Sequence, residues 1–304
     1  MPLTHLNFVA SAFFLALGTV LAKALLSGSD AVIDPLPFLT LQLLGGIAFL
    51  GVVRVARGWR TEPLPGLARP AVAGLILGLG SVGTIMAIAL ISASEASVVF
   101  ATQPVAIVVL AWVLLGERVS PAVFALILLA VAGVTCIVLG GWEAGATGRM
   151  AGIAFAAFST ICAAFYVVWM RRLSGHADML SILIVVQIVA WLVAAAALGT
   201  GILMDFTEAR AGSAFAILSA VGTGMIYYGL AFYVYLIGLR STEASTAGVY
   251  LSLVPIFAIG LSSVFLSERL SVIQWIGALV VIGALAGVSV LAPRRNNRAC
   301  DEEA

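Results

Sequence analysis

Side chains able to do chemistry are sparse in this chain, and they occupy two settings: charged pairs beside apolar runs, and isolated amides, hydroxyls and phenols within them. The pairs are Glu117-Arg118 and Glu268-Arg269. Each closes a phrase that occurs twice, PVAIVVLAWVLLGERVS from Pro104 to Ser120 and PIFAIGLSSVFLSERLS from Pro255 to Ser271. Aligned without a gap, the copies share Pro104/Pro255, Leu110/Leu261, Val113/Val264, Leu115/Leu266, both Glu-Arg residues and Ser120/Ser271. A Glu-Ala-Ser lead-in precedes each copy, at Glu95 and at Glu243. A carboxylate next to a guanidinium at a membrane edge can serve as a helix stop and interfacial anchor. It can also serve as a gate, through a salt bridge that forms on one side and breaks on the other.

Within the runs, the polar residues match what a zwitterionic solute would need: partners for two charged ends and an aromatic or apolar wall for the rest. Gln42, Ser81, Thr84, Gln103, Gln187 and Ser252 offer amides and hydroxyls, and Tyr166, Tyr227, Tyr228 and Tyr250 offer rings with a polar tip. Any one of the amides or hydroxyls could instead join two helices, a contact of about 1 kcal/mol. Tyr227 and Tyr228 fall in the middle of an apolar run, too deep for an interfacial belt, whereas Trp169 and Tyr235 lie nearer helix ends and read as belt residues. Lys23 either snorkels to the interface or meets a substrate carboxylate. Gly222, Gly224 and Gly229 surround the tyrosine pair, in a run long enough to be tilted or locally unwound. Gly74/Gly78 and Gly283/Gly287 have the spacing of close helix contacts.

The absences are as informative. No Asp or Glu falls at the centre of any apolar run, and His5 and His176 sit at the termini of theirs. A buried proton relay normally needs such a group at depth, which leaves Glu95 and Glu243 as the coupling carboxylates to consider. The three cysteines have no metal-ligand spacing and no glycine-rich phosphate loop follows a strand, so neither a metal nor a cofactor is expected.

The elements that must position these residues are membrane helices. The chain has 304 residues, 62% hydrophobic and 10% charged, which excludes an ordinary soluble domain, and the net charge of +1 gives no field for nucleic acid. About 20 mostly apolar residues cross a bilayer as a helix. Runs of that kind lie near 7–26, 36–56, 71–91, 95–115, 121–139, 150–170, 180–201, 214–239, 244–266 and 272–291. Pro104 and Pro255 lie inside two of them, where a missing N–H frees the carbonyl of Phe100 or Leu251 and bends the helix; such kinks could line a cavity and flex, or simply pack.

Lys and Arg are unevenly distributed between the two sides. The loops after spans two, four, six and eight and the tail hold Arg54, Arg57, Arg60, Arg69, Arg118, Arg171, Arg172, Arg240, Arg294, Arg295 and Arg298; the other side holds Lys23, Arg149, Arg210 and Arg269. This asymmetry puts both termini in the cytoplasm. Five spans separate the two Glu-Arg pairs, so Glu117-Arg118 falls inside and Glu268-Arg269 outside. The expected fold is therefore an all-α integral membrane protein of ten spans in two inverted five-helix repeats, residues 1–140 and 141–292, with a cytoplasmic tail at 293–304. Inverted repeats of this sort are typical of secondary transporters, which bind near the midplane.

The Pro…LLGER.S phrase, its copy Pro…FLSER.S, the Glu-Ala-Ser lead-ins and Lys23 resemble the drug/metabolite transporter superfamily in its ten-span EamA-type branch. Within that branch the compact spans and aromatic-rich later helices look most like the YddG-type amino-acid exporters. The resemblance implies an inner-membrane carrier, not an enzyme, that exports neutral and aromatic amino acids by alternating access, as a monomer or weak dimer in the lipid bilayer. Pro104, Pro255 and the two Glu-Arg pairs would then be hinges or gates. A sugar-phosphate carrier would want several deep cations, and a multidrug carrier for cations would want a buried carboxylate. A passive channel or a membrane enzyme is the reading from another class, and the enzyme lacks a catalytic constellation inside the spans.

Overall fold

A computed structural model describes residues 2–26, 33–58, 66–90, 99–100, 102–117, 120–139, 149–174, 178–200, 213–265 and 272–291. Among them the regular structure is all helix: α1 (Pro2–Leu26), α2 (Pro35–Ala56), α3 (Ala68–Leu90), α4 (Gln103–Leu115), α5 (Pro121–Leu139), α6 (Arg149–Leu173), α7 (Met179–Thr200), α8 (Ala214–Leu239), α9 (Ala244–Tyr250), α10 (Leu253–Phe265) and α11 (Val272–Leu291). These helices fall on the apolar runs marked in the sequence. Six of them, α1, α2, α3, α6, α7 and α8, are long and apolar enough to cross a membrane, with shorter apolar stretches at Gln103–Leu115, Pro121–Gly133 and Trp275–Ala284.

Helix boundaries follow local chemistry. Proline occupies the first turn of α2 and α4, where its missing N–H costs nothing, and it opens α5. The Ser120 hydroxyl accepts the Val123 N–H at 3.2 Å, and that of Ser213 accepts the Ala216 N–H at 3.4 Å to cap α8. At the end of α4, Gly116 takes φ 68, a left-handed conformation that glycine adopts without steric cost.

Both duplicated prolines follow a break in their span. Before Pro104 the chain turns at Thr102, whose N–H donates to Val99 O at 3.1 Å, and α4 starts afresh at Gln103. Before Pro255 the break is at Leu251 and Ser252, whose N–H groups reach back three residues to Gly248 and Val249 at 3.1 and 3.0 Å. The prolines thus restart helices after tight turns, and the expected bend becomes a discontinuity between α9 and α10.

The packing pairs show an exchange pattern. α1 packs on α8 and α10, and α6 packs on α3 and α4. α3 packs on α7 as α8 packs on α2, while α2 meets α7 and α5 meets α11. Moving each element five spans along the chain exchanges α1–α8 with α3–α6, α1–α10 with α4–α6 and α3–α7 with α2–α8, and returns α2–α7 and α5–α11 to themselves. The α2–α8 crossing is close enough to require glycine at two positions: a Cβ on Gly45 of α2 would lie 2.0 Å from Val221 O, and one on Gly224 of α8 would lie 1.9 Å from Gln42 O. Gly74 and Gly78 of α3 lie similarly against α7, and Gly287 of α11 lies against Leu126 of α5.

Candidate functional site

The centre of the bundle is organised by α8, whose middle, Met225–Ala231, is π-helical. A π turn interrupts the i to i−4 ladder and leaves carbonyls for other donors. Neighbouring helices supply them: Ser11 Oγ on α1 donates to Ala231 O at 2.9 Å, and Gln187 Nε2 on α7 donates to Tyr228 O at 3.0 Å. The sequence places Gly222, Gly224 and Gly229 in and before this segment, and the local unwinding expected there takes this form.

On the side facing α2, α3 and α7, the polar residues singled out in the sequence are engaged across helices. Gln42 Nε2 donates to Thr223 Oγ1 at 3.3 Å, and Thr223 passes its own proton to Ala220 O at 2.8 Å. The Tyr228 hydroxyl donates to Ser81 Oγ at 3.0 Å, and Thr84 and Ser159 share a hydrogen bond of 2.5 Å between α3 and α6. Tyr228 is therefore held at both ends, its phenol by α3 and its carbonyl by α7.

On the other side an aromatic string runs through α1, α6, α8 and α9. His5 Nδ1 and the Tyr250 hydroxyl share a hydrogen bond of 2.7 Å; Tyr250 stacks on Phe8 with centroids 5.2 Å apart, and Tyr235 meets Phe8 edge-on at 5.4 Å. Tyr166 lies against Phe232 at 5.7 Å, and Phe232 in turn touches Tyr228 at 5.5 Å and Tyr227 at 6.0 Å. Beyond the His5–Tyr250 bond, several polar atoms are not paired. The hydroxyls of Tyr166, Tyr235 and Ser252 and the Gln187 Oε1 are buried with no hydrogen-bond partner in the protein. Buried polar groups are normally paired, and three of these four orphans are hydroxyls of α6, α8 and the break after α9.

Tyr235 corrects the belt assignment: it is 6% exposed and packed on Phe8. The signal that could have found it is its spacing from Tyr228 and Phe232, i+7 and i+3, which sets all three on one helix face. Trp169, the other belt residue, donates its indole N–H to Arg69 O at 3.1 Å, joining the ends of α6 and α3. His5, Phe8, Ser11 and Thr223 were not anticipated as site neighbours.

One end of the bundle gathers the loops after α2, α4, α6 and α8. Arg54 pairs with Asp178 at 2.8 Å, Arg171 donates to Arg240 O at 3.2 Å, and Arg172 donates to Leu114 O. Burial alone would raise the Asp178 carboxyl, but hydrogen bonds from Ser181 and the Arg54 guanidinium outweigh it and hold it below the usual carboxylate range. Arg57 lies over the Tyr233 ring at 5.4 Å, beside a recess of about 270 Å³ that also borders Asp178 and Arg240.

At this same end Glu117 finds its partner. Its carboxylate accepts the N–H of Ala244 at 3.0 Å, the N–H of Ser245 at 3.1 Å and the Ser245 hydroxyl at 2.8 Å. Left-handed Gly116 turns the chain out of α4, and Glu117 then caps the first turn of α9. The phrase in one half thus grips the Glu-Ala-Ser lead-in of the other. Arg118, Glu268, Arg269 and Glu95 lie outside the described residues, as do the side chains of Lys23 and Pro255. Gln103 is half-buried at the first position of α4, and Pro104 beside it is buried.

Comparison with known proteins decides the family. The EamA-like transporter family model matches residues 3–139 and again 150–290. The chain belongs to the EamA-like transporter family. Among curated proteins, this EamA-like chain is 27% identical over 201 residues to the uncharacterized transporter YetK of Bacillus subtilis (strain 168), covering 63% of the chain and 58% of that relative's length. It also matches a solved crystal structure, described only as that of a protein, with TM-score 0.77 and 24% identity over 96% of this chain and 99% of that one, a likeness of fold. As a member of that transporter family, within the drug/metabolite superfamily, the chain is a multi-pass membrane protein.

Proposed function

We propose that this EamA-like transporter is a ten-span secondary carrier of two inverted five-helix repeats that exports neutral and aromatic amino acids across the inner membrane, with both termini in the cytoplasm. The observation that carries the substrate reading is the chemistry of the interior. Among the described residues every buried polar side chain is a neutral hydroxyl or amide, and the orphaned ones lie along a string of aromatic rings. An interior of that kind suits a solute with no net charge and an aromatic or apolar body, and among the described residues it offers no buried cation cluster for a sugar-phosphate or carboxylate for a cationic drug. The exchange pattern of helix pairs and the twofold family match support the repeats. The grouping of arginines at one end supports the orientation.

Reconstituted carrier loaded with unlabelled phenylalanine should accelerate entry of labelled phenylalanine, because counterflow requires a site exposed alternately to the two sides. Absence of counterflow with every neutral amino acid, alongside exchange of another small metabolite, overturns the amino-acid reading in favour of a different cargo for the same carrier. Linear, unsaturable flux overturns the carrier reading altogether.

A further inference from the structure

The recess at the basic end has a composition that carriage of a neutral solute does not explain. It measures about 270 Å³ and opens where α2 and α8 end and α7 begins, lined by Arg57, Arg240, Asp178, Tyr233 and Ile237 among others. Arg57 and Arg240 are exposed, and neither guanidinium has an ion-pair partner among the described residues. Asp178 does not balance them. Its carboxylate already pairs with Arg54 at 2.8 Å and accepts the Ser181 N–H at 3.2 Å and the Ser181 hydroxyl. Arg57 is steadied by the Tyr233 ring, its guanidinium carbon 5.4 Å from the centroid. A guanidinium resting on a ring is placed by its flat face and keeps its N–H donors for another partner. One cavity thus holds two cations whose charge the protein around it does not match.

We infer that this recess seats the phosphate of an anionic phospholipid from the adjoining leaflet, between Arg57 and Arg240. Size is the first reason. Pockets that enclose a whole small molecule run to about 300–1,000 Å³, so this one suits a headgroup whose chains lie outside it. The rim is the second reason, because Ile237 in the lining and Val52 and Val55 near the end of α2 are exposed apolar side chains along which acyl chains can lie. The third is donor chemistry. Forked guanidinium groups match phosphate oxygens, and basic recesses between the ends of membrane helices stand at headgroup level.

A phosphate held by both arginines joins the end of α2 to the end of α8, beside the tie that Arg54 and Asp178 make between α2 and α7. The site is independent of which solute the carrier moves.

The test separates the parts of the lipid. Purified full chain in a neutral detergent is titrated with phosphatidylglycerol, with diacylglycerol, which carries the chains alone, and with inorganic phosphate, which carries the anion alone. Thermal unfolding is followed, each variant against its own midpoint without additive, so that a loss of stability in the variant cancels. Phosphatidylglycerol should raise the wild-type midpoint, and neither part alone should match it. Arg57→Gln and Arg240→Gln should each weaken phosphatidylglycerol binding by about ten-fold. Arg57→Lys, which keeps the charge and loses the fork, should fall between. Arg69→Gln removes an exposed cation at the same end but outside the recess, and should bind as wild type does. Diacylglycerol matching phosphatidylglycerol would reduce the effect to the chains, and inorganic phosphate matching it would make the recess a site for soluble anions; either overturns the lipid. An equal loss in Arg69→Gln would leave only a diffuse attraction, and unchanged binding in Arg57→Gln and Arg240→Gln removes the site.

Discussion

The two halves of α8 meet the rest of the molecule differently. Up to Tyr228 the helix lies against α2 at glycine-close range and reaches α3 and α7 by hydrogen bonds, and its polar neighbours Gln42, Thr223, Ser81 and the amide N–H₂ of Gln187 have partners. Beyond Gly229 it meets α1, α6 and α9 through large rings, and there the phenols of Tyr166 and Tyr235 are left without partners. The first arrangement leaves little for a solute to add, because backbones touch and, Gln187 Oε1 apart, these side chains are paired. The second is unfinished in polar terms, and a site that must release its cargo has to be so, since donors already satisfied by the protein gain nothing from a ligand.

The close-packed half breaks most readily at its backbone contacts. Gly45→Ala places a Cβ where Val221 O already sits 2.0 Å away, a collision that backbone movement alone relieves. We expect a loss of about 3 kcal/mol. Gly222→Ala, on the same face-to-face pair of helices but with nothing within 4 Å, should gain roughly 0.5–1 kcal/mol from helix propensity. Thermal unfolding of the two variants in detergent measures both, and equal behaviour would remove the distinction between close-packed and open glycines.

Much of this frame is legible in the sequence, because membrane thickness dictates run length and proline dictates where a helix must restart. The ends of α5, α8 and α11 follow from the first constraint; the second marks Pro104 and Pro255 as irregular points, read as bends where the chain in fact turns and restarts. What each polar residue does is not legible, because that depends on partners far away in the chain. Glu117 reads as a membrane-edge charge until Ala244 and Ser245, across the other half, are seen to donate to it. Gln42 and Gln187 occupy corresponding runs and read alike, yet one bonds a side chain and the other a carbonyl exposed by the π turn. Tyr235 reads as an interfacial ring because its distance from the helix end is visible and the depth of α1 beside it is not.

Glu117 ties α4 to the start of α9, which adjoins the aromatic half, and its loss should be the next largest effect. Glu117→Ala removes three acceptor contacts, and an N-terminal cap contributes about 1–2 kcal/mol. Amide exchange at Ala244 and Ser245 should quicken in that variant, with Glu117→Gln in between. Unchanged protection at those two amides would mean that α9 is held by packing alone.

A smaller effect tests the paired half at a single hydroxyl. Tyr228→Phe strands Ser81 Oγ and should cost about 1 kcal/mol, whereas the same change at Tyr166 or Tyr235 should cost nothing. Combining Tyr228→Phe with Ser81→Ala should then cost less than the sum of the separate losses by about 0.5 kcal/mol or more. Additive losses would show that the bond contributes nothing and that the two halves of α8 do not differ in this respect.

The smallest effect lies at the basic end, where α2 is tied to α7 by Arg54 and Asp178 with side chains 12% and 11% exposed. The Asp178 carboxyl is held below its ordinary range in the folded chain, so the folded state gains from its ionised form. That gain is complete above the unfolded carboxylate pKa of about 3.9 and is lost as pH falls through the lower folded value. Asp178→Asn should therefore lower the unfolding midpoint at neutral pH by the equivalent of about 1 kcal/mol, and it should flatten the decline of the midpoint below pH 4. A wild-type profile that declines no more steeply than that of Asp178→Asn would show that Ser181 and Arg54 compensate only for burial, and that α2 and α7 are joined by their apolar faces alone.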